Sequence, residues 1–398
     1  MSWTPSPRSA AGWRSYRAVS ARAVTTVQVA PVQDRSGLDS FVRLPWRIYA
    51  GDPAWVPPLE SDFRKLLRAD HPFHQHAEVE TFLAARDGEP VGRIAAVVNH
   101  QYNDFHETRT GFIGLFESVD DPEVAQALLD TAAGWLRQRD MERAMGPFNL
   151  STNDEVYSPG ILLDNYARPP SLMMAHNPPY YPRLFEEAGW EKERDLLSYW
   201  LEDNRVPERL VRKMERIASA VDGLVVRELE MKRLGQEVER IKEVYNSAWQ
   251  RNWGFSPLTD AEIARLARDL KPIVDPRFAL LAEVHGEPVG FALALPDYNH
   301  ALRHMNGRLF PFGFLKLLWH RRRISNLRVF TLGLKPEYLR RGIDALFYLR
   351  IYQNGLPAGY RSAEASWILE ENWDMRRALE RLGARADKTY RVFGKDLG

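Results

Sequence analysis

The pentapeptide Gly88-Glu89-Pro90-Val91-Gly92 recurs unchanged as Gly286-Glu287-Pro288-Val289-Gly290. The first copy is flanked by Phe82-Leu83-Ala84-Ala85 and Ile94-Ala95-Ala96-Val97, the second by Ala279-Leu280-Leu281-Ala282 and Phe291-Ala292-Leu293-Ala294-Leu295. An apolar run, a Gly/Pro-marked turn and a second apolar run predict a β-hairpin. Two such hairpins 198 residues apart in a chain of 398 predict one fold used twice. A duplicated fold can divide its labour between the copies.

A second echo has nearly the same offset. Tyr180–Trp190 reads as a short amphipathic helix stopped by Gly189, with a strand at Leu196–Leu201; Met375–Ala384 repeats this with Gly383 and a strand at Thr389–Phe393. Glycine just past a helix end is the expected stop. Each half also holds a further strand and helix. Gly111–Phe116 leads into a helix from Pro122 with Val124, Leu128 and Trp135 on one face. Arg328–Leu334 leads into a helix near Arg341 with Ile343, Phe347 and Ile351 on one face, closed by Gly355. Glu202–Pro207 is the expected linker.

Composition narrows the classes. The balance of 54 basic and 53 acidic residues argues against a general nucleic-acid binder. The lack of cysteine removes disulfides, thiolate metal sites and thiol nucleophiles, and favours a reducing, cytoplasmic compartment. No apolar run reaches the roughly 18 residues needed to span a bilayer. Residues 1–25 are rich in Ser, Ala and Arg without an acidic residue, and are expected to be a disordered or mis-started tail.

The order strand, helices, hairpin, strand, helix, strand, helix, strand resembles the GNAT acyltransferase fold, an α/β fold with a mixed sheet flanked by helices. Copies would cover 27–202 and 224–397, within domains 26–203 and 204–398. The segments Leu184–Trp190 and Leu379–Ala384 resemble that superfamily's helix and glycine turn. Val329–Leu346, with Pro336-Glu337-Tyr338 and Arg340–Ala345, resembles its cofactor stretch. Taken whole, the chain resembles the YghO-like tandem-GNAT family, with bacterial ceramide synthase, an N-acyltransferase of sphingolipid synthesis, as a GNAT-like relative. The resemblance implies transfer of an acyl group from acyl-CoA, or an acyl carrier protein thioester, to an amine. Two rivals stay open: a Fem-like aminoacyl transferase using charged tRNA, and a non-catalytic acyl-CoA-binding protein.

The resemblance also assigns residues. Leu332, Gly333, Leu334, Arg340, Arg341, Gly342 and Ile343 would hold the cofactor, with Asn372 contacting it or capping a helix. The physical basis is general, since a helix's first turn carries unpaired N–H donors and the positive dipole end. Two arginines add charge for phosphate oxygens. Leu339 and Asp344 depart from the family pattern, which expects Gln or Arg and a small residue there. The equivalent turn of the first half, Glu117–Glu123, carries Asp121 before Pro122 as a cap, so it is expected to repel a pyrophosphate.

The tyrosine acid that many relatives place four residues before the helix-ending glycine is replaced by Phe185 and Leu379. Glu364, sharing a strand face with Ser366 by alternation, is the candidate base, with a surface carboxylate as the alternative reading. Asn153 and Asp154 in one loop and Trp253 in another are candidate walls of the acceptor site, with capping and core packing as their plainer roles. His71, His74 and His76 lie together but no second ligand cluster accompanies them, so no metal is expected.

One segment is extra in the second half. Phe310–Trp319 contains a single charge, Lys316, and Arg321-Arg322-Arg323 follow. The stretch 309–323 suits peripheral contact with an anionic membrane, a lid over an acyl chain, or a helix packed between domains. It favours a lipid-like amine, such as a sphingoid base, as acceptor.

Overall fold

The computed structural model describes residues 26–153, 157–202, 208–250 and 252–398. The expected linker at 203–207 lies outside them.

Both pentapeptides sit where two strands turn. Asp87 and Gly88 have φ of 54° and 79°, and His285 and Gly286 have φ of 52° and 85°. Two consecutive left-handed residues make the tight turn whose twist suits a hairpin, and the second position is glycine in both.

Among the described residues thirteen strands form one mixed sheet. The first half supplies β1 (Gln28–Pro31), β2 (Ala77–Arg86), β3 (Glu89–Asn99), β4 (Thr110–Ser118), β5 (Arg143–Gly146), β6 (Ile161–Leu162) and β7 (Glu191–Glu202). The second supplies β8 (Leu224–Glu228), β9 (Ala279–Val284), β10 (Glu287–Pro296), β11 (Asn326–Leu334), β12 (Ser362–Leu369) and β13 (Arg385–Asp396). Their order is β1-β2-β3-β4-β5-β13-β7-β12-β11-β10-β9-β8, with β6 beside β13.

The halves exchange their last strands. β13 lies against β5 of the first half, while β7 lies against β12 of the second. At the centre β7 and β13 pair antiparallel, with Leu197 opposite Thr389 and Asp195 opposite Arg391. The 194-residue offset interchanges those two pairs, so a pseudo-twofold axis passes between the strands. The interface between halves is thus a hydrogen-bonded sheet rather than a flexible tether.

Helices cover both faces. The helix Pro122–Arg137 starts where Asp121 accepts the Glu123 N–H, and Val124, Leu128, Leu129, Ala132 and Leu136 are buried at helical spacing. Its counterpart Ile343–Gly355 buries Ile343, Leu346, Phe347 and Ile351. Each fully buried aliphatic side chain of this kind contributes about 2 kcal/mol. Gly189 and Gly383 follow the helices Tyr181–Glu187 and Trp373–Arg381 with φ of 73° and 93°. The extra segment forms the helix Gly313–His320 and a turn at Arg321–Arg323. Phe312, Phe314 and Leu315 stand exposed there, Phe310 at 80% and Trp319 at 65%. No helix of the described residues is long and apolar enough to cross a membrane.

Candidate functional site

Parallel pairing fails midway in both halves, and that failure makes the cavities. β11 and β12 pair only from Asn326–Val329 with Ser362–Ala365, and β4 and β5 only from Thr110–Phe112 with Arg143–Met145. Beyond these residues each pair splays apart.

The splay of the second half opens a cavity of about 290 Å³. Phe330 and Leu332 line one side, Ser366 and Trp367 another, and Tyr245, Trp249 and Trp253 a third. Asn153 also lines it, held by the Tyr245 hydroxyl at 2.7 Å and by its own amide on Ser256 O at 2.9 Å. Asp154 lies outside the described residues. Asn372 caps a helix, its side-chain oxygen accepting the Met375 N–H at 3.2 Å, and it also lines the cavity. Gly333 contributes by lacking a side chain. A Cβ there would lie 2.0 Å from the Trp249 ring, so glycine lets the indole pack against the strand. Leu334 and Ile343 belong to the core rather than to the cavity wall.

Beyond the end of β11, Gly342 has φ 77° and begins the helix Ile343–Gly355 with no side-chain cap. Its first-turn N–H groups lack intrahelical acceptors and carry the positive dipole end. Arg341 lies over the Tyr338 ring at 5.2 Å, and Arg340 reaches Asp374 at 3.5 Å in a highly exposed pair. Such a pair is weak, so Arg340 is available to an anion.

Glu364 lies outside the lining of both cavities. It is 1% exposed on β12, opposite Arg328 on β11, and its Oε2 accepts from Ser171 Oγ at 2.7 Å. Arg328 donates to Leu172 O at 2.6 Å, and Asp297 accepts the Leu172 N–H at 2.9 Å. Burial, then the nearby Glu364 charge, pushes Asp297 up to about 7. This polar cluster ties a first-half loop to the second-half sheet. Ser366, expected on the same face as Glu364, does reach the cavity, because a register shift after Ala365 breaks the alternation.

The first half shares the splay but differs at the turn and in its cavity. Its turn is closed: Asp121 accepts the Glu123 N–H at 2.9 Å, while Arg86 bonds Asp121 at 2.6 Å and Glu123 at 2.8 Å. Its splay holds a cavity of about 520 Å³. There Arg93 and Glu117 face each other on β3 and β4, 3.5 Å apart and buried. The Arg93 guanidinium lies between the Phe41 and Phe63 rings at 5.0 and 4.7 Å and donates to Phe41 O at 2.6 Å. Glu117 Oε2 accepts from Tyr49 at 2.9 Å and Tyr181 at 2.7 Å. Burial raises the Glu117 carboxyl despite the opposing Arg93 charge, and raises both tyrosines far above their usual range.

Two further groups face this cavity. His176, its side chain 3% exposed, has Nε2 2.8 Å from Asp52 Oδ2. His71 accepts the Phe73 N–H, and burial followed by the Arg265 charge lowers it to about 4. The other two clustered histidines bond elsewhere, His74 to Leu66 O at 3.0 Å and His76 to Glu262 at 3.0 Å. Phe185 and Leu379 are buried in the core.

Sequence reading overlooked Arg93, Glu117, Asp52 and His176. A signal existed for the first two: each is a lone charge inside an apolar strand, unmatched in the second copy, where Phe291 and Gly333 stand. Asp52 and His176 are 124 positions apart in irregular segments, and no local pattern links them.

No protein-family model matches the chain. It is 37% identical to bacterial ceramide synthase of Caulobacter vibrioides over 380 residues, covering 93% of this chain and 98% of that protein. It is 34% identical to Protein YghO of Escherichia coli over 373 residues, covering 92% and 94%. A tandem GNAT protein from the clavulanic acid biosynthesis pathway superposes with a TM-score of 0.54 over 94% of this chain and 99% of that one, at 13% identity. The last likeness speaks for the fold: two GNAT units in tandem. The two sequence relatives settle the family, and the chain belongs to that of bacterial ceramide synthase and YghO.

Proposed function

We propose that this protein is an N-acyltransferase whose second half binds the acyl thioester and whose acceptor is a lipid-like amine, of the sphingoid class that the name of its Caulobacter relative indicates. One observation carries the reading: an apolar cavity in the β11–β12 splay, beyond which β11 leads to an uncapped helix N-terminus with two arginines beside it. The first-turn N–H groups, Arg340 and Arg341 suit a pyrophosphate, and Leu332, Phe330 and Trp253 suit the apolar arm and acyl chain. Asn372 and Asn153 supply the polar contacts at the wall. The exposed apolar segment Phe310–Trp319, followed by Arg321–Arg323, suits contact with an anionic bilayer from which such an amine would be drawn.

Titration calorimetry with acyl-CoAs of increasing chain length tests the donor. Affinity is expected to rise with chain length, and Arg340→Gln with Arg341→Gln to lower it roughly tenfold or more, the scale of a lost charge-assisted hydrogen bond. Asp121→Ala in the first half is expected to leave it unchanged. No binding at any length would remove acyl-CoA as donor and direct attention to carrier-protein thioesters.

A further inference from the structure

We propose that the first-half cavity is the acceptor site, in which His176, oriented by Asp52, takes a proton from the ammonium group of a long-chain amine. This rests on the acyl-transfer reading and adds to it a place and a base for the acceptor.

The cavity has the polarity of an amphiphile. His176, Glu117, Tyr157 and Asn177 line it, and so do Met173, Leu302, Leu309 and Leu317. Leu309 and Leu317 come from the exposed apolar segment, so the surface that suits a bilayer is continuous with the cavity wall. Asn153, Leu266 and Leu270 line both this cavity and the donor cavity, so the two share a wall. A head group here would lie on the near side of that wall.

The tautomer follows from the geometry. A carboxylate only accepts, so His176 Nε2, 2.8 Å from Asp52 Oδ2, carries the hydrogen. Asp52 is itself fixed by the Ala54 N–H on Oδ1 at 2.8 Å. Nδ1 is left with its lone pair, buried and with no partner among the described residues. A buried basic nitrogen without a partner, on a histidine that lines the cavity and whose other nitrogen is on a carboxylate, is the arrangement of a general base once the head group is seated against it. Glu117 is less suited to this task. Its Oε2 already takes two tyrosine hydroxyls, and its Oε1 faces Arg93.

Burial lowers the His176 imidazole, Asp52 opposes that, and Lys388 lowers it further. The Tyr49 hydroxyl, 3.0 Å from the His176 carbonyl oxygen and 2.9 Å from Glu117, completes the polar surroundings. The ring is therefore neutral at neutral pH and able to accept. In the step itself, one N–H bond of the ammonium breaks and one forms at Nδ1. The products are a neutral amine, with the lone pair needed to attack a thioester carbonyl, and an imidazolium whose charge Asp52 offsets. The imidazolium later returns its proton to water.

The test uses the full chain with sphinganine and an acyl-CoA. His176→Gln is expected to lower kcat by about 10²–10⁴-fold. It should also abolish the acid limb that a histidine base, lowered from its ordinary value, is expected to give the wild-type pH–rate profile, and leave acyl-CoA affinity, which reports a folded chain, unchanged. Asp52→Asn, which loses the tautomer control, is expected to lower kcat by at least about tenfold. Turnover and pH profile unchanged in His176→Gln would overturn the proposal. A second readout does not depend on transfer. In 15N-histidine NMR, the Nδ1 resonance is expected to be that of an unprotonated nitrogen at neutral pH and to shift on adding sphinganine as its lone pair accepts the ammonium's hydrogen bond, the ring staying neutral until the amine attacks. A resonance that ignores sphinganine overturns the acceptor site even if acyl transfer stands; failed acyl-CoA binding with a responsive resonance overturns the donor reading instead.

Discussion

At matched positions the two halves solve the same packing problem with opposite chemistry. The strand register aligns Gly92 with Gly290, Arg93 with Phe291 and Glu117 with Gly333. Tyr49 follows the helix Arg35–Ile48 between β1 and β2, and Trp249 ends the helix Leu234–Trp249 between β8 and β9. Where the first half buries Arg93, Glu117 and a tyrosine hydroxyl, the second packs Phe291 against Trp249, with ring centroids 5.5 Å apart, over a glycine. The strand-to-helix turns diverge likewise, one filled by Asp121 and Arg86, the other left uncapped. Duplication thus preserved the splayed sheet while the side chains at matched places diverged, aromatic packing beside a cationic turn in one half and a buried ion pair beside a closed turn in the other.

The largest effect tests the charged solution. Arg93→Met is expected to destabilise the protein by about 3–5 kcal/mol in urea denaturation, because Glu117 stays buried without its counter-charge. Phe291→Ala should cost about as much, through the cavity it leaves. The two are separable by pH. Protonating Glu117 removes the uncompensated charge, so the Arg93→Met penalty shrinks as pH falls, whereas that of Phe291→Ala does not. Equal pH dependence in both variants would mean that the ion pair is no different in kind from the aromatic packing.

A smaller effect tests how the halves are joined. His76, at the start of the first hairpin, bonds Glu262 on the helix Asp260–Leu270 at 3.0 Å. Burial works against the charge on both groups, but their mutual bond and attraction win: His76 is raised and Glu262 lowered. The raised histidine stabilises fully below its unfolded value of 6.5 and loses that contribution as pH rises through its folded value. The lowered carboxylate contributes above 4.5 and loses it as pH falls through its folded value. The pair is thus strongest between about pH 4.5 and 6.5. Glu262→Gln should cost about 3 kcal/mol in that window and less above it. A pH-independent penalty would assign the loss to the helix cap, since Glu262 also bonds Thr259.

Much of this arrangement is legible in the chain and some is not, for physical reasons. Hairpins, helix caps and glycine stops are local, so Asp87-Gly88, Asp121-Pro122 and Gly383 announce themselves through backbone preference. The asymmetry of the two turns is equally local, four or five residues each. Strand exchange is invisible because β7 and β13 would read identically whichever half they joined. The same holds for Asp52 and His176, brought together by loops whose course depends on the whole sheet. Glu364 shows the intermediate case: its strand was readable, but the register shift after Ala365 that puts Ser366 on the cavity with Ala365, and leaves Glu364 facing away, was not.

The smallest expected effect on stability tests a region of the second half that has no counterpart in the first. Between β3 and β4 the chain needs only residues 100–109, whereas between β10 and β11 it runs through 297–325. Exposed apolar side chains gain nothing from folding, so Trp319→Ala should shift stability by less than about 0.5 kcal/mol. A residue kept exposed at no benefit to the fold is expected to act on something outside it. Trp319→Ala and neutralisation of Arg321–Arg323 should each weaken sedimentation with anionic vesicles several-fold. The charge variant should flatten the salt dependence, and the tryptophan variant should preserve it, because only the former removes screened attraction. Vesicle binding that neither variant changes would mean that this segment serves only as a wall of the larger cavity, through Leu309 and Leu317.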